Sequence, residues 1–442
     1  MKGFGGGYDA IVIGASAGGL AAAALLAQAG RRTLVLEREA APPEPIGPVY
    51  AFDPTLMTAL KLPARGLHYV ERDLPLALPG PDGGHLFLGR DHHQTAQALR
   101  PYHPADSQSW PRFRRELHNL ARALRRWWWS AMEEGAPDWV LDNNRAKARF
   151  ARLCVTGADA FLASYFQSET VVAALLFDAG LGGFHISEPG SALALVWRAA
   201  QEMGGLEGAA AIFAPGSLAW SLIKAAGGSD FRCCTRVTGL QVRNGAVAGV
   251  KLADGEEIAA PLVFSALAEA QTMALAGAAS PGLGLGEARL LFRLAEALAF
   301  PQARLVLAER PGLYADAHEA ARAGRLPAEL PMEFTAAAAD RIAVTMRPVP
   351  LPLDREARIQ LAARAAHALS RQAPGAARRI CDVRFAPLSV APRATLSRLL
   401  APSLTRIRTS LDGLYLCGAD AEPLPSLSGR AARIAVGHAL RA

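Results

Sequence analysis

The sequence predicts an α/β protein of two domains, and three stretches carry that prediction. Residues 8–38 read as strand, glycine turn, helix and second strand. Residues 231–266 read as a meander of short strands joined by Asn-Gly and Asp-Gly turns. Residues 413–440 read as a buried strand followed by a helix.

In the first stretch the apolar run Ala10–Ile13 is a buried strand that turns at Gly14. An Ala-rich helix follows from Gly18 to Ala29, Gly30 ends it, and the strand Thr33–Leu36 finishes on Glu37. In such a βαβ unit the helix N–H groups and dipole face a dinucleotide pyrophosphate, and the acid takes a ribose hydroxyl. Glu37 lies 18 residues beyond Gly19, near the ~20 expected of that acid. Gly14 and Gly19 fill the first and third glycine positions, whereas Ser16 occupies the second. Backbone must approach the phosphates closely there; serine is small, and its hydroxyl can itself bond a phosphate. A hydropathy window over Ala10–Ala27 also resembles a membrane span, but a span leaves Gly14, Gly18 and Gly19 without a purpose.

A chain of 442 residues can bury a large core, and 51% apolar with 20% charged residues is an ordinary globular composition. Residues 1–7 read as a short flexible lead, not a signal peptide, which points to a cytoplasmic protein. The net charge is +7, and lysine contributes only five of the 47 basic residues. That excess fits nucleic acid, an anionic membrane or arginine codon usage alike; no nucleic-acid motif accompanies it, so nucleic acid is set aside as a partner. The five cysteines include no C-x-x-C pair, which excludes a redox dithiol and a zinc knuckle. Cys233 and Cys234 are expected side by side in one strand, facing opposite ways.

Along the chain, Pro42–Pro48 is irregular, and Leu78–Leu88 is a hairpin turning at Asp82-Gly83. Residues 91–134 are helical, with further helices at Glu169–Phe177, Ser191–Met203 and Leu218–Ala226. Strands follow at Phe231–Thr235 with an extension to Val242, Ala246–Leu252 and Glu257–Ala260, turning at Asn244-Gly245 and Asp254-Gly255. Val263–Ala266 is a return strand. Residues 267–400 mix helices with a few strands such as Arg341–Met346.

The order of these motifs resembles the phytoene desaturase-like FAD-dependent oxidoreductases, in the branch of the pyridine nucleotide-disulphide oxidoreductase domain 2 proteins. The βαβ unit, the meander G-A-V-A-G-V-K-L-A-D-G-E-E-I before V-F-S-A, and the terminal G-L-Y-L-C-G-A-D carry the resemblance, which spans nearly the whole chain. It implies a discontinuous Rossmann-like FAD/NAD(P)-binding domain at 1–75, 185–266 and 400–442, and a substrate or cap domain at 76–184 and 267–399. The same wide fold is implied for amine oxidases and Rab GDP-dissociation inhibitors. The resemblance also implies residue roles. Gly14, Ser16, Gly18 and Gly19 would wrap the FAD pyrophosphate, Glu37 would hold the adenosine ribose, and Arg38 would lie beside the adenine. The Val237 backbone would meet the adenine, and Gly418 and Asp420 would lie near the ribityl chain. The helix entered at Ser428-Gly429 would aim its positive end at the flavin pyrimidine.

Two segments depart from the family pattern. Glu39–Gly47 has one glycine where a Gly-Gly pair is usual, and Ala421–Ser428 carries prolines where glycines are usual. The expected function is hydride transfer from a small apolar substrate to FAD, which requires no protein nucleophile. The alternative is a flavin-free relative that binds a protein partner. Arginines 112, 114, 115, 122, 125 and 126 with Trp127–Trp129 suit either a peripheral membrane contact or a solvated face whose tryptophans pack inward. His92-His93 lack the spacing of a metal site and read as surface-loop residues.

Overall fold

Every residue of Ala10–Ile13 is buried, and this strand is the centre of a five-stranded parallel sheet. Its order is Leu414–Leu416, Leu262–Ser265, Ala10–Ile13, Thr33–Leu36, Asp230–Arg232. Ala10 stands in register with Leu262 on one side and with Thr33 on the other. Strands so covered on both faces read as continuous apolar runs, which is why they were visible in the sequence. The computed structural model describes residues 7–50, 52–129, 143–203, 210–279, 284–386, 395–401, 403–424 and 428–441. The predicted N-terminal lead, save Gly7, and residues 130–134 of the predicted helical region lie outside them.

The meander forms as expected, with one correction. Val237–Arg243, Ala246–Leu252 and Glu257–Ala259 make a three-stranded antiparallel sheet. Asn244 and Gly245 both take positive φ, 50° and 80°, the backbone of a two-residue hairpin turn. The strand predicted to run from Phe231 through to Val242 is two strands in different sheets. The chain breaks between them at Cys234, whose φ is 53°. Cys233 and Cys234 are therefore exposed turn residues and not strand neighbours on opposite faces.

A second, mixed sheet has seven strands in the order Ile380–Phe385, Gly284–Leu294, Arg341–Leu351, Met332–Ala338, Arg304–Leu307, Leu76–Pro79, His85–Leu88. The predicted Asp82-Gly83 hairpin supplies its last two strands, with Gly83 at φ 81°. Arg304–Leu307 pairs parallel to Leu76–Pro79 and so joins the hairpin to the rest.

The helix Pro104–Trp128 buries Trp110, Phe113, Leu117, Leu120, Leu124 and Trp128, one face at helical spacing. That face packs against the helix Ala192–Glu202 and shares one apolar core with the helix Glu169–Ala179. Trp127 and Trp128 are each 2% exposed, and the Trp128 indole N–H donates to the Leu399 carbonyl at 2.9 Å. The inward-packing alternative holds for these two side chains. Among the described residues no helix is long and apolar enough to cross a membrane.

Candidate functional site

The sheet and the first helix meet at Gly14, which turns the chain at φ 90° while its N–H donates to the Leu36 carbonyl at 2.8 Å. Ser16 follows as the N-cap of the helix Ala17–Gln28, but its side chain makes no capping hydrogen bond. That helix end carries the partial positive charge of unsatisfied amides. Glu37 ends the neighbouring strand almost fully buried, at 6% exposure. Its two oxygens accept the Ala15 N–H at 2.7 Å and the Glu39 N–H at 3.0 Å. Glu37 therefore fixes the glycine turn from behind as well as facing the site.

A cavity of about 540 Å³ opens in front of this turn, within the ~300–1,000 Å³ usual for cofactor and ligand sites. Gly14, Ser16, Glu37, Arg38, Val237 and Asp420 line it, as the sequence reading required of one site. It runs from the parallel sheet to the seven-stranded sheet, where Tyr50, Leu285, Glu287, Arg289 and Arg347 form its wall.

The other four expected site residues do not line this cavity. A Cβ on Gly18 would overlap the Cys417 carbonyl, one on Gly19 the Gly14 carbonyl, and one on Gly418 the Ala266 carbonyl. These glycines let the helix and neighbouring strands approach one another, the role of the third glycine in such a fingerprint. Gly429 takes φ 70° and sits against Leu56 and Phe52.

The helix Arg430–Ala439, which Gly429 opens, is the clearest departure from expectation. Its Arg430 N–H donates to Ser428 Oγ and its Ala431 N–H to Glu422 Oε1, each at 3.1 Å. Glu422 is 3% exposed, and its Oε2 pairs with Arg430 Nη1 at 3.1 Å. Ser428 Oγ also bonds Glu422. A carboxylate of the protein's own thus occupies the positive end that was expected to face a flavin ring. It comes from the same Ala421–Ser428 segment that replaces glycines with prolines. Residues 425–427 lie outside the described residues.

Behind the far wall lies an ionic network that the sequence did not reveal. Tyr50 donates to Glu333 Oε1 at 2.9 Å, and the guanidinium groups of Arg198 and Arg304 lie 4.6 and 4.7 Å from its ring centroid. Arg304 bridges Glu333, at 2.7 Å, and Asp178. Burial pushes the Tyr50 hydroxyl up to about 12. Burial alone would raise the Asp178 carboxyl, but Arg304 and Arg198 overcome it and hold it below the usual carboxylate range. Arg347 donates through Nη2 to the Tyr50 oxygen at 3.3 Å and connects this network to the cavity.

Other candidates resolve simply. His92 and His93 begin the helix His92–Leu99 and are not loop residues, and no metal-competent cluster occurs among the described residues. All five cysteines are free.

Residues 12–42 match the model of the NAD(P)-binding Rossmann-like domain. The chain is 28% identical over 314 residues to pyridine nucleotide-disulfide oxidoreductase domain-containing protein 2 of Mus musculus, covering 58% of this chain and 53% of that protein. It thus spans about half the length of the curated relatives it matches. An oxidoreductase structure from Methanosarcina mazei superposes with a TM-score of 0.60 at 16% identity, covering 98% of this chain and 100% of the other. Cyclohexylamine oxidase from Brevibacterium oxydans gives 0.56 at 15%, covering 99% and 100%. The fold is the one that these oxidoreductase and amine oxidase structures share. The Rab GDI of Plasmodium falciparum shares it too, at 0.52 and 10% identity over 92% of each chain. At these identities the solved structures speak for architecture only.

Proposed function

We propose that this chain is an FAD-dependent oxidoreductase of the desaturase, dehydrogenase or isomerase type, acting on a small, largely apolar substrate. The carrying observation is the uncapped N-terminus of the helix Ala17–Gln28, with Gly14 and Ser16, at the mouth of a cavity that continues to the second sheet. The residues present suit the adenosine diphosphate end of FAD. The helix amides and the Ser16 hydroxyl would take the pyrophosphate, Glu37 the ribose through its remaining lone pairs, and Arg38 and Val237 the adenine. When bound, the flavin supplies a two-electron hydride acceptor. The chain's own work is then alignment and dryness: Leu181, Leu285, Ile46 and Val49 would hold apolar substrate and exclude water. The domain division at 1–75, 185–266 and 400–442 against 76–184 and 267–399 belongs to this proposal. So do the cytoplasmic location and any peripheral contact with a membrane.

A second reading, a flavin-free relative serving as a binding subunit, is favoured by the Glu422 carboxylate on the Ala431 amide. A reduced flavin ring gains negative charge, and that helix end offers it none of the usual compensation. The visible absorption spectrum of the purified protein separates the two. Flavin bands, or their appearance after incubation with FAD and desalting, support the oxidoreductase; a colourless protein after both treatments supports the binding subunit.

A further inference from the structure

The charges around the far end of the cavity do not balance, and the surplus lies at the cavity wall. Deeper in, the guanidinium groups of Arg198 and Arg304 face the carboxylates of Asp178 and Glu333, so that part is neutral. At the wall, Arg289 and Arg347 share the single carboxylate of Glu287. Arg289 takes the better share: its Nε donates to Glu287 Oε1 at 2.7 Å. Arg347 Nη1 is 3.4 Å from Glu287 Oε2, and neither Nη1 nor Nε has a hydrogen-bond partner among the described residues. Its side chain is 2% exposed, over the Phe177 ring at 4.1 Å. A buried guanidinium is normally paired and fully hydrogen-bonded, because desolvation without compensation is costly. Arg347 has only a share of one carboxylate and one hydrogen bond, to Tyr50, although it lines a cavity.

We propose that Arg347, with Arg289, is the docking site for the carboxylate of an otherwise apolar ligand. The observation that carries this is an under-bonded buried guanidinium beside a carboxylate already shared, in a cavity whose other walls include Leu181, Leu285 and Ile46. A monoanion at Arg347 completes the wall's charge balance and supplies its missing acceptors. The apolar walls take the hydrocarbon part. This deepens the oxidoreductase reading, and rests on it for the statement that the ligand is a substrate.

The test is calorimetric titration of the full chain with octanoate, with octanol and octylamine as neutral and cationic counterparts. Octanoate is expected to bind at least about tenfold more tightly than either, the scale of one charge-assisted contact. Arg347→Gln is expected to remove that preference, and Arg293→Gln, at an exposed side chain on the same sheet, to keep it. Arg289→Gln, whose side chain is 19% exposed, serves as a second variant should Arg347→Gln fail to fold, and is also expected to weaken octanoate. Equal binding of octanoate and octanol, or unchanged octanoate binding in a folded Arg347→Gln or Arg289→Gln variant, overturns the proposal. FAD binding is read separately by absorbance. Arg347-dependent octanoate binding in a protein that takes no flavin upholds the carboxylate site and removes the oxidoreductase reading.

Discussion

Glu422 accepts the Ala431 N–H at 3.1 Å, closing the N-terminus of the C-terminal helix with an internal carboxylate that also neutralises Arg430. Removing one member of such a buried pair strands the other, at a cost of about 3–5 kcal/mol. Glu422→Ala is therefore expected to lower the urea-unfolding free energy by about that amount. Glu422→Gln keeps an acceptor for the amide and should cost less. Equal stability of the alanine variant and the native protein would show that this cap contributes nothing.

Gly19 lies where a Cβ would overlap the Gly14 carbonyl, a backbone group that cannot turn aside as a flexible side chain would. Gly19→Ala should destabilise the protein by roughly 1–3 kcal/mol and shift the turn that presents Ser16. Chemical denaturation reads the first effect, and a fall in FAD affinity the second. An alanine variant of full stability would place the helix farther from the turn than the structure does.

His318 is 1% exposed, its ring 4.8 Å edge-to-face from His185, with Nε2–H donating to the Gly183 carbonyl at 3.4 Å. Burial and the neighbouring His185 lower its pKa to about 4 from 6.5. Between those values the unfolded chain binds the proton and the folded chain does not. Stability is therefore complete above the unfolded value and is lost as pH falls through that window. The native Tm should decline from pH 6.5 towards pH 4, and His318→Gln should flatten that decline. Parallel curves for the two proteins would assign the loss to other groups.

Arg304 holds Glu333 and Asp178 in place beneath the cavity. Arg304→Met is expected to cost about 3–5 kcal/mol, because it leaves the buried Glu333 without its cation and Asp178 with Arg198 alone. Combining it with Glu333→Gln, which removes the stranded charge and keeps Asp178 for Arg198, should recover much of the loss. A double variant no more stable than Arg304→Met would show that packing, not charge, sets the cost.

The βαβ unit and the meander were legible because their signals are local. Apolar strand, Gly14 turn, Ala-rich helix and Asn244-Gly245 each act within a few residues. The break at Cys234 was not, since a positive φ at cysteine has no sequence signature. The seven-stranded sheet was seen only in part, because Gly284–Leu294 pairs with Arg341–Leu351 across a long intervening chain. The same distance hid the wall of the site: Tyr50 meets Glu333 and Arg347 through folding alone. Of the expected site residues, Gly14, Ser16 and Glu37, read from spacing, line the cavity, while Gly18 and Gly19 sit at close backbone contacts. Glu422 was overlooked because its partner Ala431 carries no mark of being capped.

Ser16 lines the cavity and is the N-cap of the first helix, at the end where the proposed pyrophosphate would sit. FAD should be titrated into the native protein and into Ser16→Asp, following quenching of flavin fluorescence. Saturable binding by the native protein, weakened at least about tenfold by the added negative charge, is the expected result. No binding by the native protein, or equal binding by both, would contradict the cradle at Gly14–Ala17.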